Sequence, residues 1–228
     1  MGNMMFQPDY LRHEFIYSAN PTASGWNSTA VDQEILSYVD ELLNQSQIVP
    51  PARILEIGCG MGNLTIPLAR AGFRVMGIDI SATAIGVAVQ RALIAEGRAS
   101  FRIGNITSVE AYRGLEAFDC ILDGLCWHCI IGQDRKTFLR SVQNVLKPNG
   151  CFLVITMCGN PRSLRLLAHF DPLSRYITDG RVAERYLGLP QDLAEELNEA
   201  GFKIAYHRLV AGSNETGDQD MFLAVARV

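Results

Sequence analysis

Residues 54–62, Ile-Leu-Glu-Ile-Gly-Cys-Gly-Met-Gly, constrain this chain more than any other stretch. An apolar run that ends in glycines at 58, 60 and 62 reads as a strand passing into a tight turn, and the missing Cβ atoms let a ligand lie close to the backbone. The next apolar run, 73–78, ends in Asp79. That carboxylate stands at the tip of the neighbouring strand, where it can accept hydrogen bonds from both hydroxyls of a ribose. Strand, glycine turn, helix, strand and acid, in that order, predict an adenosine-containing ligand.

The glycine spacing separates two classes of such ligand. A dinucleotide fingerprint, G-x-G-x-x-G, needs a third glycine where Asn63 stands, so a nicotinamide oxidoreductase is disfavoured. The segment from Glu56 to Gly62 instead resembles the (E/D)-x-G-x-G-x-G motif of class I methyltransferases that use S-adenosylmethionine. The resemblance implies a Rossmann-like, seven-stranded, mostly parallel sheet with an antiparallel last strand and helices on both faces. It implies S-adenosylmethionine as cofactor, with Glu56 as the acidic lead, Asp79 as the ribose carboxylate, and Gly58, Cys59, Gly60, Gly62 and Ile80 in contact with it.

Composition excludes several alternatives. The 228 residues suit one domain with a buried core of its own, 1–228, and the net charge of −4 with pI about 5.6 offers no basic field for a nucleic acid. No apolar run nears the roughly 18 residues that cross a bilayer, and no basic-then-apolar leader opens the sequence, so a cytoplasmic protein with no membrane or nucleic-acid partner is expected. Six cysteines fall in or beside apolar runs and read as reduced thiols. Cys126 and Cys129 have zinc-like spacing, but Cys151 and Cys158 would face opposite sides of a strand, so no metal is expected.

Beyond an irregular, aromatic segment 1–27, a helix is predicted from Ser28 to the Pro50-Pro51 stop. Strands at 53–57, 73–78, 100–103, 118–122 and 151–156 alternate with helices at 63–71, 82–96 and 134–146, the pattern of a parallel sheet covered on both faces. Pro67 threatens the first of these helices, Ser81 caps the second, and Lys147-Pro148-Asn149-Gly150 supplies a turn. A helix starting at Pro190, then strands 203–210 and 221–228, predict a closing hairpin at the sheet edge. Residues 1–30 and 159–189 are left over as two lid segments.

In such sheets ligands lie beyond the carboxyl ends of the strands. After the third strand the family often carries an Asp toward adenine; here Asn105 and Ile106 stand, and the Asn carbonyl can accept the same bond. The segment after the fourth strand, through Asp123, Gly124, Trp127 and His128, matches the one that the family uses for the methionine moiety and the acceptor. It lacks the Asn/Asp-Pro-Pro-aromatic sequence of amide and adenine methylases. His128 is the leading catalytic candidate, because an imidazole takes a proton at neutral pH; Asp123 is the second, as its partner or as acceptor for the cofactor ammonium. Arg162 and Arg165 in the insertion, with Tyr10, Tyr17, Trp26, Trp127 and His128, are the candidate acceptor contacts. The expected reaction is methyl transfer to O, N or S of a small-molecule acceptor; the insertion arginines suit an anionic one and are equally compatible with a solvated surface. A protein or RNA methylase and a non-catalytic binder of the same cofactor are the alternatives, and oligomeric state is left open.

Overall fold

The computed structural model describes residues 6–19, 29–94, 99–212 and 219–228. In chain order its elements are β1 (Gln7–Pro8), α1 (Arg12–Ala19), α2 (Thr29–Ser46), β2 (Arg53–Ile57), α3 (Thr65–Arg70), β3 (Arg74–Asp79), α4 (Ala82–Ile94), β4 (Ala99–Ile103), β5 (Phe118–Gly124), α5 (Asp134–Asn144), β6 (Leu146–Cys158), α6 (Leu164–Leu167), β7 (Phe170–Asp171), β8 (Tyr176–Asp179), β9 (Val182–Tyr186), α7 (Pro190–Glu199), β10 (Lys203–Val210) and β11 (Asp220–Arg227).

Seven strands form the main sheet in the order β10-β11-β6-β5-β2-β3-β4. β2 through β6 run parallel, and β11 lies antiparallel between β6 and β10. The period of two along each strand divides the core. Leu55 and Ile57 join Phe138, Phe152 and Phe202 on one face, whereas Ile54 joins Leu42, Leu122 and Leu153 beneath α2 on the other. Burial on both faces is what makes these strands read as unbroken apolar runs.

The expected helices shift in ways that local chemistry explains. α3 is shorter than 63–71 and takes Pro67 into its first turn, where a missing N–H costs no helical hydrogen bond. Ser81 caps α4, its Oγ accepting from Ala84 N at 3.0 Å. The turn expected at 147–150 is absorbed into β6 as an irregularity: the pairing slips between Phe118↔Leu146 and Cys120↔Cys151 around the left-handed Asn149 (φ 66°).

The two leftover segments are where sequence and structure part most. Residues 12–19, expected to be irregular, are helical, and the insertion folds into α6 and strands β7–β9. β9 pairs in parallel with β1 through Gln7↔Val182 and Pro8↔Ala183, giving a second sheet in the order β1-β9-β8-β7. The N-terminal segment and the insertion are therefore one layer of structure.

Candidate active site

One cavity opens at the carboxyl ends of β2, β3, β4 and β5, covered by α1 and the edge of β9. Its floor is the glycine turn. Gly58, Gly60 and Gly62 all have positive φ (65°, 51° and 77°), and a Cβ built on Gly58 would fall 2.4 Å from Cys126 Sγ. Only glycine meets both conditions without strain. A Cβ on Gly60 would meet the Tyr17 hydroxyl, reaching down from α1, at 2.5 Å.

Asp79 is fixed against this turn. Its Oδ2 accepts from Gly60 N and its Oδ1 from Ser81 N, each at 2.8 Å, and the residue is 7 % exposed. Burial raises its pKa above the ordinary value, opposed by those two amides and by His13. Ile80 and Ile106 give the cavity apolar surface beside the carboxylate. Asn105 also lines it, but its Oδ1 accepts from Thr107 N (3.0 Å) and Thr107 Oγ1 (2.9 Å). Asn105 is therefore both a turn residue and a cavity residue.

Glu56 lines the cavity almost without exposure to solvent, hydrogen-bonded by the Thr65 hydroxyl. Burial pushes its pKa up to about 8. Asp123, by contrast, is absent from the cavity wall and fully buried. Its Oδ1 accepts from Cys126 N and Trp127 N at 2.8 Å each, closing the turn after β5, while its Oδ2 has no partner among the described residues. Burial raises it to about 7, with those two amides and then His128 pulling the other way. Its place is thus in the turn after β5 and not on the cavity wall.

His128 does face the cavity, with Nδ1 3.4 Å from Thr156 Oγ1. Trp127 does not. It is fully buried, its ring stacked on the Arg135 guanidinium at 4.6 Å, so it is a core residue and not an acceptor contact. The two insertion arginines named as acceptor contacts are corrected as well. Arg162 is exposed and pairs with Asp220 at 2.5 Å, and Arg165 is exposed; neither lines the cavity. The arginines that do are Arg12, paired with Glu184, and Arg185. Trp26 lies outside the described residues.

Tyr10, just before α1, and Tyr17, within it, both line the cavity. Tyr10 donates to Asp134 Oδ2 (2.8 Å) and accepts from Ile131 N (3.2 Å). Between them stand residues that the sequence reading missed. His13 faces the cavity, and Glu14 accepts from the Ser81 hydroxyl (2.6 Å) and from Thr83 N (3.2 Å) and Oγ1 (2.6 Å) at the start of α4. Arg135 is the other omission. Sandwiched between Trp127 and Tyr186 (4.4 Å), it donates to the carbonyls of Trp127 (2.9 Å) and Ile130 (3.1 Å) and to Glu196 (2.8 Å), joining the turn that carries His128 to β9. His13 and Glu14 lie on a helix with no clear periodicity, and Arg135 reads in the sequence as an ordinary helix-face cation, its partners Tyr186 and Glu196 being 51 and 61 positions away.

Comparison with known proteins gives a consistent result. A family model described as a methyltransferase domain matches residues 54–150. The ubiquinone biosynthesis O-methyltransferase of Chelativorans sp. (strain BNC1) is 31 % identical over 176 residues, covering 74 % of this chain and 68 % of that protein. A putative methyltransferase of Geobacillus sp. (strain WCH70) is 33 % identical over 120 residues, 51 % of this chain; the chain spans only 47 % of that relative's length. Among solved structures, Burkholderia thailandensis 1,6-didemethyltoxoflavin-N1-methyltransferase, crystallised with 1,6-didemethyltoxoflavin and S-adenosylhomocysteine, matches with TM-score 0.71 at 19 % identity, over 96 % of this chain and 88 % of that one.

Proposed function

We propose, for a chain that belongs to the class I S-adenosylmethionine-dependent methyltransferases, that it transfers a methyl group to a nucleophilic atom of a small molecule. One observation carries this reading: the glycine turn and the Asp79 carboxylate are bonded to one another at 2.8 Å and form one wall of a cavity that α1 covers. The residues fit the cofactor. The Cβ-free backbone at Gly58 and Gly60 leaves room for its amino-acid end, Asp79 suits a ribose, and Ile80 and Ile106 suit an adenine ring.

When bound, S-adenosylmethionine supplies an electrophilic methyl carbon on a sulfonium. Little polarisation is then required of the protein, and orientation of the two reactants is its main contribution. The floor at Gly58–Gly62 and Asp79 fixes one reactant, and the cover formed by α1 and β9 confines the other and excludes water. His128 takes the proton that a hydroxyl, amine or thiol acceptor must lose, from its place on the cavity wall. The relative from Chelativorans is named an O-methyltransferase, which supports oxygen as the acceptor atom. An anionic acceptor would meet Arg185, which has no ion pair among the described residues, and not Arg162 or Arg165.

Calorimetric titration with S-adenosylhomocysteine, with NADH as control ligand, tests the reading. Binding of the first ligand alone is expected. Asp79→Ala should weaken it by about a hundredfold, on the scale of a lost charge-assisted hydrogen-bond pair, whereas His128→Ala should leave it within about threefold and lower turnover instead. Equal losses of affinity in the two variants would refute this division of roles, and binding of NADH alone would refute the cofactor.

A further inference from the structure

Arg135 stands in the first turn of α5, 5 % exposed and off the cavity wall. Local chemistry gives little reason for a cation there. The helix dipole disfavours positive charge at its N-terminal end, burial of a guanidinium is costly, and Nη2 has no hydrogen-bond partner among the described residues. An apolar side chain would fill the space between Trp127 and Tyr186 at lower cost. What the guanidinium alone supplies is a clamp. Side chains in a helix lean back toward its N-terminus, and Arg135 leans over the turn before α5, where its Nη1 donates to Trp127 O at 2.9 Å and to Ile130 O at 3.1 Å. Those two carbonyls bracket His128.

The imidazole needs such a frame. Its ring contact with Thr156, Nδ1 to Oγ1 at 3.4 Å, is long for a hydrogen bond, so the direction of the ring is set chiefly by the backbone that carries it. That backbone is a short turn, closed by Cys129 N on Cys126 O (2.8 Å) and Ile130 N on Trp127 O (3.1 Å) and tied to β5 through Asp123 Oδ1. Trp127 O thus accepts twice, from Ile130 N and from Arg135. Away from the turn, Arg135 Nε donates to Glu196 of α7 at 2.8 Å, and the guanidinium lies between the rings of Trp127 (4.6 Å) and Tyr186 (4.4 Å). Tyr186 belongs to β9; its ring meets Tyr176 of β8 at 5.7 Å, and that ring meets Phe6 at 5.8 Å. We propose that Arg135 is a positioning residue for His128: it fixes the direction of the imidazole in the cavity and, through Tyr186, makes that direction depend on the docking of the cover. The inference rests on the reading of His128 as the group that takes the acceptor's proton. A displacement of about 1 Å at such a group costs a reaction on the order of a hundredfold.

The test reads the imidazole directly and needs no acceptor. Histidine ring signals of the full-length chain are followed by proton–carbon correlation NMR in wild type, Arg135→Lys and Tyr186→Leu, with His128→Gln assigning the His128 signal among the four histidines. A residue that only stabilised the fold would lower the melting temperature and leave the ring signals of the folded protein where they were. A positioning residue moves them. The His128 signal is expected to shift or split in both variants, by more in Arg135→Lys, which gives up the fork on the two carbonyls, than in Tyr186→Leu, which keeps all three hydrogen bonds and loses one ring face. The signal of His207, on β10 at the edge of the main sheet, should stay in place. A His128 signal that moves in neither variant, or no more than that of His207, would overturn the proposal, and movement in Arg135→Lys alone would overturn the link to the cover. Tyr186→Leu leaves the buried charge and its hydrogen bonds intact, so it decides the matter if Arg135→Lys fails to fold. Titration of the wild-type sample with S-adenosylhomocysteine reports on the cofactor separately: no binding beside a shifted His128 signal would sink the methyl-transfer reading and leave the clamp, whereas binding beside unmoved signals would do the reverse.

Discussion

The floor and the cover of the cavity are built by different means. The floor is backbone: three positive-φ glycines, two amides on the Asp79 carboxylate, and strand ends whose side chains, such as Ile57 and Ile78, are 0 % exposed. The cover is side chain. α1 and the β1-β9-β8-β7 sheet reach the floor through Tyr10, His13, Glu14 and Tyr17, and they leave Leu11, Phe15, Leu164 and Leu173 at 69 %, 76 %, 86 % and 95 % exposure. A floor of this kind is specified by local sequence, whereas a cover held by a few polar contacts depends on side chains brought together from distant parts of the chain.

Arg135 joins the two regions, and its loss should produce the largest effect. Arg135→Ala removes two bonds to carbonyls of the His128 turn, strands Glu196 and empties the space between Trp127 and Tyr186. About 3–5 kcal/mol of stability should be lost in urea unfolding. A loss below about 1 kcal/mol would mean that floor and cover are not coupled through this residue.

Glu56 probes the floor alone. Its pKa is raised by burial from 4.5 to about 8, so the folded state holds a proton that the unfolded state has released between those values. The folded state then binds more protons, and stability falls as pH rises from about 4.5 to about 8. Glu56→Gln, uncharged throughout, should remove that fall, leaving it more stable relative to wild type at pH 8 than at pH 5 by on the order of a few kcal/mol. Parallel melting-temperature curves for the two proteins across this range would contradict a buried, proton-holding Glu56.

Glu14 tests the cover. Hydrogen bonds from Ser81 and Thr83 lower its pKa to about 2, so its contribution is complete above about 4.5 and lost as pH falls through about 2. Because the carboxylate is solvent-facing, Glu14→Gln should cost only about 0.5 kcal/mol at pH 7. It should show as faster proteolytic cleavage within residues 12–19 without a change in global unfolding. If cleavage is unchanged, α1 is held by Tyr10 and Tyr17 instead. Smallest of all is Arg165→Ala: exposed and outside the cavity, it should shift stability by less than about 0.5 kcal/mol and leave S-adenosylhomocysteine affinity alone. A measurable loss of affinity would return the insertion arginines to the site.

The same contrast governs what could be read in the residues. Strand 53–57 matched β2 at both ends, and the strands at 73–78, 100–103 and 118–122 and the closing hairpin matched within two residues, because strands buried on both faces leave unbroken apolar runs. The Glu56–Gly62 turn was legible because its glycines answer to a backbone conformation. α1 was not, since its eight residues present little periodicity and gain their order by docking on α4 and on the turn after β5. Strands of two to five residues in the insertion were equally silent, being fixed by partners such as β1, some 175 positions away in sequence.

Trp127 and Asp123 mark the limit for single residues: position near a strand end was visible, but which way each side chain turned was not. Arginines 162 and 165 failed for the opposite reason, as charge could be counted in the sequence while its direction could not. The sequence by itself determined the sheet, the glycine turn and the carboxylate facing it, because hydrophobic period and backbone conformation are properties of neighbouring residues. Only the tertiary structure decided that α1 closes the cavity, that Arg135 joins its two walls and that His13 and His128 line the same space, because those are encounters between side chains far apart in the chain, set by packing.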